Sequence, residues 1–298
     1  MNREGNMLTP INDEAGRARH ISEHVGNIRK RIEREGANEP IKSGLDDLDR
    51  VIGGFYPGEL IVVGGRPGMG KTGFALGIVR QFAGDSKPVF YFGLGAESGD
   101  QLTARLCGFE SLEKSDDRRT LAGWQHWFLD SQAQLNEKLP IYIDDDPNID
   151  IDELCRRVRW HSEHVERVEL VVVENLHLLC VAQGIEQRKW PAKMLEITKK
   201  LKALAEEIQI TILVNTALKR KMERRASKIP LLTDMQSDFR LHVDLVLLLY
   251  RESCYSNQEW SENRAMVVVA WDRISPIKMG FFEKHVFLKF EDGQFVAY

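Results

Sequence analysis

The stretch Gly65 to Thr72, GRPGMGKT, satisfies the spacing G-x-x-x-x-G-K-[ST] at every position. It follows the apolar run ELIVVG and precedes FALGIVRQF, so strand, glycine-rich turn and helix come in the order that phosphate binding needs. Such a turn aims several backbone N–H groups and the positive end of a helix dipole at one point, and polyphosphate is the natural occupant. Gly65, Gly68 and Gly70 let the backbone approach the oxygens, Lys71 is expected to reach the β and γ phosphates, and the Thr72 hydroxyl to bind Mg²⁺. The chemistry implied is ATP binding with Mg²⁺. A partner signal lies a hundred residues on in VELVVVENL, an apolar strand ending in an acid, Glu174. A carboxylate there can hold the water shell of the metal, which makes Glu174 a metal-site and catalytic candidate beside Thr72.

Two such motifs act together only if a sheet brings the ends of their strands side by side. Apolar runs alternating with helical patterns favour an α/β fold, a parallel sheet covered on both faces. The strand candidates are ELIVVG, PVFYFGL, PIYID, VELVVVE, ITILVN, DLVLLLY and AMVVVAW, with a closing pair around HVFLKF and QFVAY. Between the fourth and fifth lies an amphipathic helix with Met194, Ile197, Leu201, Leu204 and Ile208 on its apolar face and Lys199, Lys200 and Lys202 expected to face outward. Residues 1–12 are expected to be disordered. A helix is expected over 13–36, because Ile21, Val25, Ile28 and Ile32 recur at spacings of four, three and four, and Gly36 and Pro40 then break it. The main domain runs over 41–298.

Bulk properties narrow the class. The 298 residues are 43% hydrophobic and 29% charged, as in an ordinary soluble protein. The N-terminus has no apolar signal core, and the best apolar run, LVVVENLHLLCV, is too short for a bilayer and carries Glu174, so no membrane partner and a cytoplasmic location are expected. Cys107, Cys155, Cys180 and Cys254 are spread singly, which argues against a zinc site or a disulfide framework and for buried packing. The net charge of −4 offers no global attraction to nucleic acid, so any such contact must come from a local patch. KRKMERRASK is the densest, with Lys219, Arg220, Lys221, Arg224, Arg225 and Lys228; it reads either as a solvated face or as a set of DNA phosphate contacts. Trp190 in QRKWPAK either stacks on a base or packs against its own helix.

The order SGLDDLDRVIGGFYPGELIVVGGRPGMGKTGFAL, then IYIDDDPNIDIDELCRRVRW, then LEITKKLKALAEEIQITILV, resembles the C-terminal motor domain of DnaB-type replicative helicases. The likeness runs from about Ile41 to Tyr298 and includes the closing FLKFEDGQFVAY. It implies a RecA-like P-loop NTPase that forms a homo-hexamer or other ring around single-stranded DNA, holds ATP between neighbours, and works with other replication proteins. The helix over 13–36 resembles the linker helix of that family, which docks on the adjacent subunit, and the N-terminal collar domain has no counterpart in this sequence.

The same resemblance marks departures. The position of the family's catalytic glutamate reads Gly95, with Glu97 two residues on, either reaching back through the GLGAE turn or standing as a solvated loop acid. The usual aspartate is the longer Glu174, the γ-phosphate-sensing glutamine is replaced by Asn215 and Thr216, and His177 stands where the family often has glutamine. Of the lysine and arginine that reach across to the neighbour's phosphate, AWDRISP keeps Arg273 but has Trp271 for the lysine. The loop LLTDMQSDFRLHVDL is shorter than the family's DNA-contacting loop and lacks its glycine. The reading implied is an ATP-binding subunit of a helicase ring with weakened hydrolysis. Two alternatives are a catalytically impaired ring or assembly protein that regulates or loads a helicase, and a RecA-like recombination or signalling ATPase, which SGLDDLDRVIGG suggests and the C-terminal half disfavours.

Overall fold

The computed structural model describes residues 21–22, 26, 40–106, 139–255, 263–273, 284–291 and 293–297. The chain divides into two units, Met1–Glu39 and Pro40–Tyr298. In the first, Ile21, Ser22 and Gly26 are helical and Ile21 is 71% exposed; Val25, Ile28 and Ile32, and the disorder expected over residues 1–12, lie outside the described residues.

The second unit is built on nine strands: β1 (Leu60–Gly65), β2 (Val89–Phe92), β3 (Ile141–Asp144), β4 (Leu170–Val173), β5 (Thr211–Ala217), β6 (Leu245–Arg251), β7 (Arg264–Asp272), β8 (Lys284–Glu291) and β9 (Gln294–Val296). Their order across the sheet is β3-β2-β4-β5-β1-β6-β7-β8-β9. β1 to β6 run parallel, and β7, β8 and β9 extend the sheet by antiparallel pairing. All nine expected strands are present.

The uninterrupted apolar runs have a simple cause: each central strand is buried on both sides. In β1, Leu60 and Val62 point into one core while Ile61 and Val63 point into the other. The first core is closed by α4 (Ile151–His164), α5 (Leu176–Ala182) and α6 (Trp190–Ile208). The second is closed by α1 (Asp46–Ile52), α2 (Lys71–Gly84) and α3 (Gly99–Leu106). Met194, Ile197, Leu201 and Leu204 of α6 are fully buried, as their spacing predicts. Lys202 departs from the expectation that it faces outward. Its side chain is 13% exposed because the ammonium turns under the sheet to Asp244 Oδ2 at 2.7 Å and the Gly58 carbonyl at 2.8 Å. Cys155 and Cys180 are buried as expected, whereas Cys254 is exposed beside the Gly68 carbonyl, and Cys107 lies outside the described residues.

The hairpin of β8 and β9 closes over the start of α2. Phe295 meets Phe74 edge-on at 5.6 Å, and Phe290 and Phe295 pair across the two strands. The approach is tight enough to explain a glycine inside the helix. A Cβ on Gly73 would lie 2.0 Å from the Gly293 carbonyl oxygen, so only hydrogen fits there.

Candidate functional site

β1 ends at Gly65, a turn with Gly68 and Gly70 at φ +81° and +84° follows, and α2 begins at Lys71. Those left-handed residues curl the backbone so that its N–H groups converge ahead of the helix, the form of an anion cradle. Lys71 Nζ folds back to the Arg66 carbonyl at 3.2 Å. Burial pushes its pKa below the ordinary lysine value; the Glu174 carboxylate pulls it part of the way back up, and Arg66 adds to the lowering.

Glu174 directly follows β4, and a neighbour from the strand on each side reaches it. Its Oε1 accepts from the Thr72 hydroxyl at 2.6 Å. Its Oε2 accepts from the Tyr91 hydroxyl of β2 at 2.7 Å and from Asn215 Nδ2 of β5 at 2.9 Å. The carboxylate is 7% exposed. Thus Lys71, Thr72 and Glu174, a hundred residues apart in sequence, converge at one end of the sheet. The buried Asn215 Oδ1 and Thr216 Oγ1 have no hydrogen-bond partner, so acceptor and hydroxyl capacity lies beside Glu174. His177 packs edge-on to Trp190 at 5.5 Å; burial lowers its pKa, with Gln236 and Lys71 the polar groups that act on it. Trp190 itself donates to the Ile185 carbonyl at 2.8 Å and packs on the core, which answers the stacking alternative.

Glu97 is ion-paired with Arg105 of α3 and close enough, with that arginine, to act electrostatically on the Tyr91 phenol. Its side chain is thus held by the arginine and is 29% exposed. Gly95 cannot take over the carboxylate role, because its φ is +73° and a Cβ would sit 2.7 Å from Pro147 Cβ.

Arg273 stands at the other end of the sheet. It follows Asp272, which pairs with Leu245, which in turn lies level with Ile61 in β1, four residues before Gly65. At about 3.3 Å per residue this separates it from its own phosphate loop by at least ~13 Å. Its guanidinium is 3.8 Å from Asp244 and 45% exposed. Trp271 turns its indole N–H to the Val243 carbonyl at 3.3 Å, and Arg240 lies 5.9 Å over its ring while paired with Asp238 at 2.6 Å.

The basic stretch forms a 3₁₀ turn, Arg220–Arg224, directly after β5. Arg220, Lys221 and Arg224 are exposed. The other members are anchored: Lys219 Nζ donates to the Thr233 carbonyl, Arg225 pairs with buried Asp234 at 2.8 Å, and Lys228 caps the Glu223 and Arg225 carbonyls at 2.6 Å. Arg66, inside the phosphate loop, pairs with Glu223 of this turn at 2.8 Å and donates to the Leu218 carbonyl.

Three contributors were not singled out from the sequence, and two of them, Arg251 and Phe290, carry no individual signal there. Arg251 donates to the Gly68 carbonyl at 3.0 Å and lies 3.5 Å over the Phe290 ring, which forms a flat stacked pair beside the loop. The two are far apart in sequence and only the sheet joins them. Tyr91 carried a weak signal, a hydroxyl inside the apolar strand FYF, since a buried phenol must find a partner.

Residues 40–292 match the family model described as DnaB-like helicase C terminal domain. The replicative DNA helicase DnaB of Leifsonia xyli subsp. xyli is 28% identical over 261 residues, 85% of this chain and 56% of that protein. The replicative DNA helicase DnaC of Bacillus subtilis is 29% identical over 84% of this chain and 56% of its own length. A probable replicative DNA helicase of Trieres chinensis is 31% identical over 80% and 53%. This chain thus spans a little over half the length of the curated relatives it matches. Among solved structures, a DnaB-like replicative helicase studied with primase superposes with TM-score 0.76 at 22% identity, over 94% of this chain and 67% of that one. The ATPase domain of G40P gives 0.75 at 22% identity, over 94% and 99%.

Proposed function

The chain belongs to the DnaB-like helicase C-terminal domain family, and from that premise we propose that it is the ATP-binding motor subunit of a ring helicase acting on single-stranded DNA in replication, with weakened hydrolysis. The observation that carries the reading is the 2.6 Å bond from Thr72 to Glu174 at the head of α2. A hydroxyl and a carboxylate meeting in front of an anion cradle form a hard oxygen pair of the kind Mg²⁺ takes together with substrate phosphates. Among the described residues no cluster of three or more His, Cys, Asp or Glu could cage a metal, which suits an ion completed by phosphate and water. Thr72 and Glu174 would hold that ion, and when bound it would neutralise charge on the phosphate oxygens.

The loop N–H groups and Lys71 bind the β and γ phosphates, and the Arg251–Phe290 pair, already stacked on each other beside Gly68, offers the purine an outer flat face. Arg273, remote from its own loop, serves the site of a neighbouring subunit. The segment 13–36 docks on that neighbour, and 41–298 is the motor. Arg220, Lys221 and Arg224 supply phosphate contacts to the strand, while Lys219 and Arg225 hold the turn in shape. The Arg66–Glu223 pair links that turn to the nucleotide loop. No helix among the described residues is long and apolar enough to cross a membrane, and a cytoplasmic ring is the setting proposed.

Hydrolysis needs more than binding: a carboxylate must orient the water, and cations must meet the charge that develops. Glu97 is held by Arg105, and Trp271 has no charge to offer. These two observations favour a second reading, a ring that uses ATP for assembly and regulates or loads a helicase. ATP turnover measured with and without single-stranded DNA separates the two. Turnover below about 1 s⁻¹, under the usual enzyme range, that rises with DNA supports the motor; slow turnover indifferent to DNA supports the assembly role. Brisk turnover would refute the weakened site, and failure to bind nucleotide would refute both.

A further inference from the structure

Glu174 differs from the other members of the site in being gripped from behind. Oε2 receives two donors, Tyr91 from the strand on one side and Asn215 from the strand on the other, at 2.7 and 2.9 Å. Tyr91 lies level with Val172, two residues before Glu174 and on the same face of β4, and Asn215 follows Val214, the partner of Val173. The three side chains therefore line up across three adjacent strands beneath α2. Only Oε1 is left toward Thr72.

A glutamate has one more rotatable bond than an aspartate, so its carboxylate plane is not set by the strand. Something else must set it. Two donors on one oxygen fix both the rotation and the identity of the oxygen that faces forward. Tyr91 suits the task because it is 1% exposed and its ring is packed in the core under α2, so the hydroxyl is held as rigidly as the sheet.

We propose that Tyr91 is a positioning residue for the metal site: its hydroxyl, with Asn215, turns Glu174 so that Oε1 and the Thr72 hydroxyl present one edge to Mg²⁺. The proposal rests on the nucleotide-and-Mg²⁺ reading of this site. Groups behind a metal ligand commonly contribute 10- to 100-fold to metal affinity. Tyr91 is therefore distinct from Lys71, whose loss acts on phosphate whether or not the ion is present.

The test is Tyr91→Phe, which keeps the ring and removes one oxygen. Binding of a fluorescent, non-hydrolysable ATP analogue is followed while MgCl₂ is titrated, and again in EDTA. The expected result is a rise of roughly tenfold or more in the Mg²⁺ concentration for half-effect, with affinity in EDTA unchanged. Thermal unfolding by circular dichroism confirms that the variant is folded. Should Tyr91→Phe prove unfolded, Asn215→Ala, which removes the other donor to Oε2, is read the same way and should shift the Mg²⁺ midpoint in the same direction. An unchanged Mg²⁺ midpoint in a folded Tyr91→Phe overturns the proposal, and so does an equal loss of affinity in EDTA, which would mean a general packing role. If the parent protein binds the analogue without any Mg²⁺ dependence, the metal reading itself fails and this proposal with it; a parent that responds to Mg²⁺ beside a variant that responds identically sinks the Tyr91 role alone.

Discussion

Glu59 sits immediately before β1 and is 7% exposed, with Tyr56 N–H donating to its Oε2 at 2.9 Å. Burial is the main reason its pKa is raised from 4.5 to about 8; the hydrogen bond from Tyr56 opposes the rise, Asp244 adds to it, Lys202 opposes it and Asp272 adds to it. The folded protein therefore keeps a proton that the unfolded chain releases above pH 4.5. Below that pH the two states are alike at this residue and its contribution to stability is fully present. As pH climbs toward 8 stability is lost, at about 1.4 kcal/mol per pH unit, and above 8 the loss levels off. Over the 3.5 units between 4.5 and 8 the ceiling is about 5 kcal/mol, which relaxation and water entry around a charged carboxylate would bring to a few. Glu59→Gln keeps an oxygen for Tyr56 and removes the titration. Urea unfolding of parent and variant, followed by tryptophan fluorescence at pH 5, 7 and 9, should show near-equal midpoints at pH 5 and a growing advantage for the variant up to pH 9. Parallel midpoints across the three pH values would show that Glu59 ionises normally, and the buried edge beside Asp244 and Arg273 would then have to be wetter than its geometry implies.

Lys71→Ala should weaken binding of an ATP analogue at least tenfold, about 1.4 kcal/mol or more, and equal affinity in a titration would remove the lysine from the phosphate site. Gly73→Ala forces a Cβ to 2.0 Å from the Gly293 oxygen, so the β8–β9 hairpin must retreat and carry Phe290 with it; nucleotide affinity should fall although Lys71 and Thr72 are untouched, and an unchanged dissociation constant would detach the hairpin from the site. Glu97→Gln should leave turnover unchanged, because Arg105 holds this carboxylate; a loss of turnover would show that ATP frees it for the reaction. The remedy of Gly95→Glu, attractive from sequence, is expected to lower stability rather than raise turnover, since both φ and Pro147 oppose it; a gain in rate would contradict that geometry. Removing residues 1–36 should shift a ring toward smaller species in light scattering if the Ile21 stripe docks on a neighbour, because four aliphatic side chains are worth roughly 1.5–3 kcal/mol each before ordering costs.

Much of this protein was legible from local pattern. The phosphate loop is a contiguous motif, so Lys71 and Thr72 could be named from eight residues. The strands could be counted because burial on both faces leaves β1, β4 and β6 as unbroken apolar runs, and the closing hairpin appeared as two alternating segments around EDG. Glu174 could be paired with the loop because VELVVV places an acid at a strand end, where a carboxylate can hold the water shell of a metal bound beside a phosphate loop. What stayed hidden were relations between residues on different strands and the direction a long side chain takes. Lys202 falls on the polar side of α6 by periodicity, yet its four methylenes let the ammonium reach Asp244 beneath the sheet. Arg225 and Lys228 look equivalent to Arg220 and Lys221 in composition, but a buried Asp234 and two carbonyls bind the first two and leave the others at the surface. Gly95 looked like a vacancy for a carboxylate until Pro147, fifty-two residues away, closed the space. Tyr91 became part of the site only because strand order places β2 and β5 on either side of β4. Period and motif determine which face a residue takes; which atoms meet there depends on sheet order and side-chain reach, and those were decided by the packing of the whole domain.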